Sequence, residues 1–173
     1  MKRNLTIIAA LTFTASASAF AQCNSAIQAT SPATQFVIHD NATVTDTTTG
    51  LQWKRCAEGY RWDNNTCAED AQVTKTYSWS EALTSTAKHE FAGFNDWRMP
   101  NKIELASIVE YSCYEPAING SVFPGTPADG FWSNTPNYFN LSFAWAIHFA
   151  HGEHTTTRKT NPFFVRLVRD VSQ

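Results

Sequence analysis

Two stretches of the chain combine apolar residues at helical spacing with a capping signal at their start. Residues 78–81 read Ser-Trp-Ser-Glu, and apolar or small residues then recur every three or four positions, which predicts an amphipathic helix over residues 79–89. A second helix is predicted to begin after Asn101, whose side chain can accept the amide of Glu104 while the Glu104 carboxylate bonds back. Its apolar positions continue to about Cys113. The chain is therefore predicted to contain few helices.

Short apolar runs bounded by turn residues predict strands on both sides of these helices. Residues 114–127 contain three prolines and other turn formers, so we expect a long surface connection there. The order of elements predicts an α+β domain with a mostly antiparallel sheet and two short helices packed on it. The expected strands are residues 36–38, 44–46, 51–54, 131–133, 144–149, 154–159 and 163–168.

A proline-forced corner leads into the second helix. Pro100 excludes helical torsions for the residue before it, so the chain is expected to run extended to Met99 and to turn there. The residues of this structural motif are Asp96, Trp97, Arg98, Pro100, Asn101 and Glu104. Nearby arginines are expected to pair with carboxylates such as Asp96 and Glu104. These arginines are Arg98, Arg166 and Arg169.

The N-terminus has the three-part layout of a secretory signal. Lys2 and Arg3 precede an apolar run, which ends in small residues before Gln22. We expect residues 1–21 to be a signal peptide, residues 22–42 an irregular lead-in tethered by Cys23, and residues 43–173 one folded domain. No other segment is apolar enough to span a bilayer, so we expect an exported protein in the periplasm, on the cell surface or secreted.

Charge restricts the class of partner. Without Lys2 and Arg3, 11 of the 13 basic residues remain against 15 acidic ones, a formal charge of −4. No block of basic residues is present. Nucleic acid binding is not expected, because phosphates require clustered lysine and arginine.

Four cysteines remain after the predicted cleavage, and an even number in an exported chain favours disulfides. Three connectivities are possible. We expect Cys56 to pair with Cys67, because glycine, aspartate and asparagine residues that favour turns lie between them. Cys23 is then left to pair with Cys113. A zinc site is not expected, since the Cys-x-x-Cys spacing is absent.

A set of short motifs runs along most of the chain between residues 23 and 170. They lie at residues 43–46, 50–53, 56–67, 79–82, 96–101, 104–105, 113–119, 131–133, 144–145 and 165–169. Together they resemble the C-terminal domain of the Legionella collagen-like adhesin, long catalogued as a domain of unknown function. This family is similar in turn to C-type-lectin-like and formylglycine-generating folds, in which an Arg-Leu-Pro strand also leads into a capped helix; Met99 replaces the leucine here.

The resemblance implies a C-type-lectin-like, disulfide-containing recognition domain, which in the adhesin engages sulfated glycans and sits on a collagen trimer. This chain has only seven glycines and no Gly-x-y period, so no collagen stalk is expected. Its acidic balance argues against sulfate binding. Formylglycine-generating chemistry uses a late thiol pair, whereas no cysteine follows Cys113, and no Gly-x-Ser-x-Gly motif is present. We therefore expect neither enzymatic activity nor a cofactor.

One cluster could hold a transition metal, because it combines imidazoles with a carboxylate. It consists of His148, His151, Glu153 and His154. A two-residue loop at 151–152 would pair Phe149 with His154 and separate His148 from His154, whereas a three-residue loop would place both on one face. We favour the first register and no metal site.

Two other features suggest binding. Asn95-Asp96 resembles the Asn-Asp pair that chelates calcium in C-type lectins, but it precedes the Pro100 turn, so Asp96 is expected to accept a structural hydrogen bond. Six tryptophans could form a sugar-stacking platform. Those in strand or helix patterns are expected in the core, which leaves Tyr60, Trp62 and Tyr138 as the exposed aromatics.

These observations favour a non-catalytic, adhesin-like recognition module that binds a carbohydrate or a cell-envelope protein. Loops over the last sheet combine polar donors with an aromatic side chain and lie away from both disulfides. The predicted contact residues are Tyr138, His148, His151, Arg158 and Lys159. The alternative function is a structural subunit of a periplasmic or surface assembly.

Overall fold

The computed structural model describes residues 21–73, 75–87 and 89–171. Within them the chain forms mostly antiparallel strands, two short α-helices and two disulfides. The predicted signal peptide, apart from Ala21, lies outside the described residues. No helix in the described part of the chain is long and apolar enough to cross a bilayer.

The strands are β1 (Gln22–Cys23), β2 (Phe36–Ile38), β3 (Thr43–Asp46), β4 (Leu51–Lys54), β5 (Tyr60–Asp63), β6 (Thr66–Glu69), β7 (Cys113–Tyr114), β8 (Gly130–Pro136), β9 (Phe143–His148), β10 (Glu153–Arg158) and β11 (Val168–Asp170). The helices are α1 (Trp79–Thr86) and α2 (Lys102–Ser107), and a 3-10 turn covers Ala33–Gln35.

The first sheet brings both ends of the domain together in the order β11-β4-β3-β2. Val44 and Val168 both lie opposite Trp53, and all three side chains are fully buried. The final strand begins later than predicted. Phe163 and Phe164 make only isolated bridges, to Tyr77 and Phe131, because they pack beside the second sheet before the chain enters the first.

The second sheet has the order β10-β9-β8 and separates two hydrophobic clusters. Ala146 belongs to the same cluster as Ala82 of α1, and Ile147 belongs to the same cluster as Leu105 of α2. Because neighbouring residues of a strand point to opposite faces, β9 serves both clusters. This sheet is therefore the central layer between the helices.

The β9–β10 hairpin has a register that neither sequence alternative predicted. His148 lies opposite Glu153 and Ile147 opposite His154, so residues 149–152 form the connection. Both predicted registers are wrong. The observed register differs from the favoured one by two residues. A shift of two residues leaves each side chain on the same face of the sheet, so His154 still lies on the face of Ile147 and His148 lies on the opposite face.

Packing explains this longer connection. Phe149 is fully buried with its ring 5.1 Å from that of Phe131, which removes it from the strand pair. Gly152 follows with φ of 75°, and a Cβ there would approach Val109 Cγ1 to 2.6 Å. Core packing, rather than the shortest possible loop, therefore sets the register.

Both disulfides pair as predicted, Cys23 with Cys113 and Cys56 with Cys67. The first joins β1 to β7, which are hydrogen-bonded to each other. The second closes around the β5–β6 hairpin, whose turn at Asn64-Asn65 has positive φ angles of 45° and 62°. Asparagine tolerates this left-handed region better than most residues, so the turn formers act as predicted.

Both helices begin where predicted and end earlier. Asn101 Oδ1 accepts from Ile103 N and Glu104 N, at 2.8 Å and 2.9 Å, and Glu104 Oε2 accepts from Asn101 N at 2.7 Å. The apolar pattern after residue 107 does not continue the helix, because Val109 forms an isolated bridge with Ile118. Helix α1 likewise ends at Thr86 rather than residue 89.

The connection over residues 114–127 is part of the core, so the predicted surface location is wrong. Its apolar side chains fill the space between the two sheets and pack with the residues of α2. Turn formers predicted its irregular backbone but not its burial. The fully buried side chains are Ala117, Ile118, Val122 and Phe123.

Arg166 is a fully buried guanidinium at the junction of the two sheets. Its Nη1 donates to the carbonyls of Lys54 and Arg55, and its Nη2 donates to Thr126 Oγ1 at 2.7 Å. Burial lowers its pKa to about 9, which leaves the group charged at neutral pH. The expected pairing of Arg166 with a carboxylate is wrong, because Nη1 donates to backbone carbonyls at the end of β4 and Nη2 to the Thr126 hydroxyl, while Nε has no hydrogen-bond partner among the described residues.

Glu110 ties the lead-in to the domain. Its carboxylate is 2% exposed and accepts from the amides of Thr30, Ser31 and Ser112 at 3.0 Å, 2.8 Å and 2.9 Å. Burial alone would raise the pKa of Glu110, but the hydrogen bonds from Ser112, Ser31 and Thr30 hold it below its ordinary value. The lead-in is therefore held by a charged acceptor as well as by Cys23.

We predict that Arg166→Met lowers the free energy of unfolding by about 3 kcal/mol, because it leaves buried carbonyls without donors. Urea unfolding measures the difference. The control Arg61→Met removes a side chain that is 66% exposed and should change stability by less than about 0.5 kcal/mol. Equal stability of the Arg166→Met protein and the wild type would contradict this role.

We predict that Glu110→Gln destabilises the protein at neutral pH by about 1.5–3 kcal/mol, the range for hydrogen bonds to a charged group. Because the folded pKa lies below the unfolded value, the contribution is complete above about pH 4.3 and is lost as pH falls through the folded pKa. Unfolding curves recorded from neutral to acidic pH should therefore converge for the two proteins. The exposed Glu153→Gln is the control, and a gap that does not depend on pH would refute the assignment.

Candidate functional site

The structure divides the predicted contact residues between two ends of the second sheet. Tyr138 lies in the β8–β9 loop, Arg158 ends β10, and the amide of Lys159 donates to the Ser142 carbonyl at the end of that loop. His148 lies at the opposite end of β9, about 17 Å away at strand spacing. The five residues therefore do not form one site.

The histidines at the far end have separate partners. His148 Nε2 lies 3.3 Å from Asp129 Oδ1, whereas His154 Nε2 lies 3.3 Å from the Tyr111 hydroxyl on the other face. His151 is exposed in the connection. Among the described residues, no three metal-ligating side chains are grouped to hold a metal ion.

The corner motif is structural. Arg98 donates through Nη1 and Nη2 to Glu104 at 2.8 Å and 2.9 Å, and Glu104 raises the pKa of Arg98. Arg169 Nε donates to Asp96 Oδ1 at 2.7 Å, and this bond holds the pKa of Asp96 below its ordinary value. The expected pairing is confirmed for both arginines. Asp96 accepts the structural bond expected of it.

Three cations near the β8–β9 loop are held over aromatic rings. Lys102 Nζ lies 4.0 Å from the centre of the Trp145 ring, and Lys159 Nζ lies 4.1 Å from that of Trp79. Arg158 Cζ lies 5.5 Å from the Phe143 ring. These distances are within the range of a cation–π contact. We call Lys102, Arg158 and Lys159 the cationic rim.

The cationic rim differs from the other basic side chains that the structure describes. The rim cations make no described contact with a carboxylate or with a backbone carbonyl. By contrast, carboxylates contact Lys54, Arg61, Lys75, Arg98 and Arg169, and backbone carbonyls contact Arg55 and Arg166.

The rim flanks a loop with exposed apolar side chains. Residues 137–142 connect β8 to β9, and we call them the apolar loop. Within it the exposed fractions are 86% for Tyr138, 94% for Phe139 and 73% for Leu141. The Lys102 amide donates to Thr135 Oγ1 at 3.0 Å on the β8 side of this loop. Residues of the rim therefore lie beside both ends of the loop.

A separate cavity of about 370 Å³ lies beside the Cys56–Cys67 disulfide. Its two cations are already neutralised, Lys54 by Glu58 at 2.6 Å and Arg61 by Asp63 at 3.4 Å. Burial raises the pKa of Tyr60 to about 12. The cavity is therefore an aromatic pocket without a free charge. It is lined by Ala42, Lys54, Cys56, Tyr60, Arg61, Trp62 and Phe91.

Sequence reasoning found part of the rim and missed the rest. Arg158 and Lys159 follow a visible strand pattern, and Tyr138 lies in a visible loop. Lys102 was missed because its ring partner, Trp145, is far away in sequence. The run Tyr138-Phe139-Asn140-Leu141 between two strands was the available signal for an exposed apolar loop.

Comparison with known proteins agrees with the motifs described above. No curated protein matches the chain in sequence. The family model of the Lcl C-terminal domain matches residues 42–169, which include the second sheet, both helices, the cationic rim and most of the first sheet. The chain therefore belongs to the Lcl C-terminal domain family, the family of the C-terminal domain of the Legionella collagen-like adhesin.

Proposed function

We propose that this chain is an exported, non-catalytic recognition module that binds an acidic carbohydrate through its cationic rim. The observation that carries the proposal is that three cations beside the ends of the β8–β9 loop lie over aromatic rings and have no described carboxylate partner. Two disulfides and membership of an adhesin-related family support an exported location. The proline corner and the antiparallel sheets support a C-type-lectin-like arrangement.

The rim suits an anionic ligand rather than a neutral sugar. Lys102 and Lys159 occupy faces of Trp145 and Trp79, so a pyranose ring would have to displace an ammonium group to stack there. Carboxylate or sulfate groups can instead accept hydrogen bonds from ammonium and guanidinium donors. The ring contacts also reduce the side-chain freedom that would be lost on binding. The acidic balance of the chain led us to expect no sulfate binding, and the local positive charge of the rim is the reason to propose acidic ligands instead.

The rim supports binding rather than catalysis. General acid–base catalysis most often uses an imidazole or a carboxylate within hydrogen-bond reach of the reacting group. The described residues place no carboxylate in ion-pair contact with Lys102, Arg158 or Lys159. A ligand at the rim would therefore meet fixed positive charges and no proton-transfer group paired with them.

A protein partner is the second candidate. The apolar loop favours it, because aromatic side chains are common anchors of protein interfaces. Such a partner would depend on Tyr138 and Phe139 more than on the charges of the rim. Binding to isolated acidic glycans distinguishes the two candidate functions, because a module specific for a protein would not bind isolated glycans.

We predict that Arg158→Gln combined with Lys159→Gln weakens binding to acidic glycans by at least about tenfold, because two charge-assisted contacts are lost. A glycan array that carries neutral, uronic-acid and sulfated glycans measures the change.

The matched control is Arg61→Gln combined with Lys75→Gln, which removes the same charge from paired cations and should retain binding. His148→Gln should also retain binding, because His148 lies at the other end of the sheet. Equal weakening by the rim and control pairs would reject the rim as the site. So would a wild-type protein that binds no acidic glycan.

A further inference from the structure

We propose that the apolar loop inserts into the headgroup region of an anionic lipid bilayer while the cationic rim contacts the lipid headgroups. This inference extends the proposed function, because both use the same rim. It identifies an anionic lipid bilayer as the surface to which the protein docks while it binds its ligand. The partner is defined by two properties of the molecule, an exposed apolar tip and flanking positive charge.

The first observation is the exposure of the tip. Phe139, Tyr138 and Leu141 are the three most exposed large apolar side chains among the described residues. The rings of Tyr138 and Phe139 lie 5.4 Å apart and pack edge to face, so they form one projecting group. Tyrosine favours the interface between water and lipid, and phenylalanine and leucine are common on the buried face of interfacial segments.

The second observation is the order of the loop backbone. Asn137 Oδ1 accepts from the amides of Phe139 and Asn140 at 2.9 Å and 3.3 Å, and Asn140 Oδ1 accepts from the Ser142 amide at 3.1 Å. The Phe143 amide donates to the Asn140 carbonyl at 2.9 Å. Backbone donors that are already satisfied reduce the cost of leaving water. The loop can therefore enter a headgroup layer without refolding.

The third observation is the distribution of charge. Residues 130–145, which include the loop and the strands that support it, contain no charged residue. The backbones of the three rim residues lie at the base of the loop: the Lys102 amide contacts Thr135 on the β8 side, Arg158 lies opposite Phe143, and the Lys159 amide contacts Ser142. Insertion to a depth of about 5–10 Å would place the tip among the acyl boundary and the cations near the headgroups. No charge has to enter the hydrocarbon.

The size and shape of the tip favour a bilayer over another copy of the chain. Three such side chains offer roughly 500 Å² of surface, since an aromatic residue buries about 150–250 Å². A stable protein interface needs about 800 Å² from each partner and a complementary surface. A small projecting tip instead fits a fluid layer that closes around it.

The test measures sedimentation of the purified, disulfide-bonded protein with vesicles. One set contains phosphatidylcholine alone, and the other contains phosphatidylcholine with phosphatidylglycerol. The wild type is expected to bind the anionic set, and less strongly as salt rises. Phe139→Ser combined with Leu141→Ser should weaken this binding at least about tenfold. Ile27→Ser combined with Val73→Ser, at exposed positions on other segments, is the control and should bind as the wild type does.

A second readout reports insertion itself. In a Phe139→Trp protein, emission excited in the tryptophan should shift to shorter wavelength with anionic vesicles and be quenched by lipids brominated in the acyl chain. The same vesicles should cause a smaller change in the wild type. An absence of both effects would overturn insertion even if the protein sediments.

Other outcomes also decide the matter. Unchanged sedimentation of the Phe139→Ser, Leu141→Ser protein, or a wild type that binds neither vesicle set, overturns the inference. If that variant still binds vesicles but light scattering shows a changed oligomeric state, the loop is a protein interface instead. The same variant should keep its binding to acidic glycans. A wild type that binds acidic glycans but no vesicles would refute bilayer docking and leave the proposed function in place. A wild type that binds vesicles but no acidic glycan would refute the glycan proposal alone.

Discussion

A buried guanidinium connects three parts of the domain that are far apart in sequence. Arg166 donates to carbonyls at the end of β4 and to Thr126 in the connection before β8, and the rings of Phe123 and Phe131 lie 4.8 Å and 5.7 Å from it. Burying a charge is costly unless its donors are satisfied. The carbonyls, the connection and the rings must therefore be in place together, which couples the two sheets.

This coupling fixes the frame on which the rim is built. The second sheet, between the two helices, supplies Phe143 and Trp145 on one face of β9. The start of α2 is held by its capping box and by the Thr135 hydroxyl, so Lys102 is delivered to the Trp145 ring. The rim is thus a product of long-range packing, although each of its cations lies at the end of a short local element.

Local signals predicted much of the fold, and non-local packing explains the errors. The capping box at Asn101 located a helix start because its hydrogen bonds are made within a few residues. The helix end was missed because Val109 pairs with Ile118 instead of continuing the helix. The same reason applies to the 114–127 connection, where turn residues predicted an irregular backbone but could not reveal that Phe123 is buried.

The site was predicted less completely than the fold, for a related reason. Choosing residues by type placed histidines and basic residues in one group, but the length of β9 separates them. Pairing with distant carboxylates, which distinguishes Arg169 from Arg158, depends on tertiary contacts and cannot be read from composition. The exposure of the apolar loop could be predicted from the sequence, because aromatic residues flanked by polar ones lie between two strands. That Lys102 lies near this loop could be seen only in the folded structure.

In a chain with a formal charge of −2, the three rim cations, which have no described carboxylate partner, form a local positive region at one end of the second sheet. A positive region of this kind favours approach to a negatively charged surface in the orientation in which it leads. Orientation during approach raises the rate of productive encounters most strongly at low ionic strength. The arrangement would thus act on the speed of attachment before any specific contact has formed.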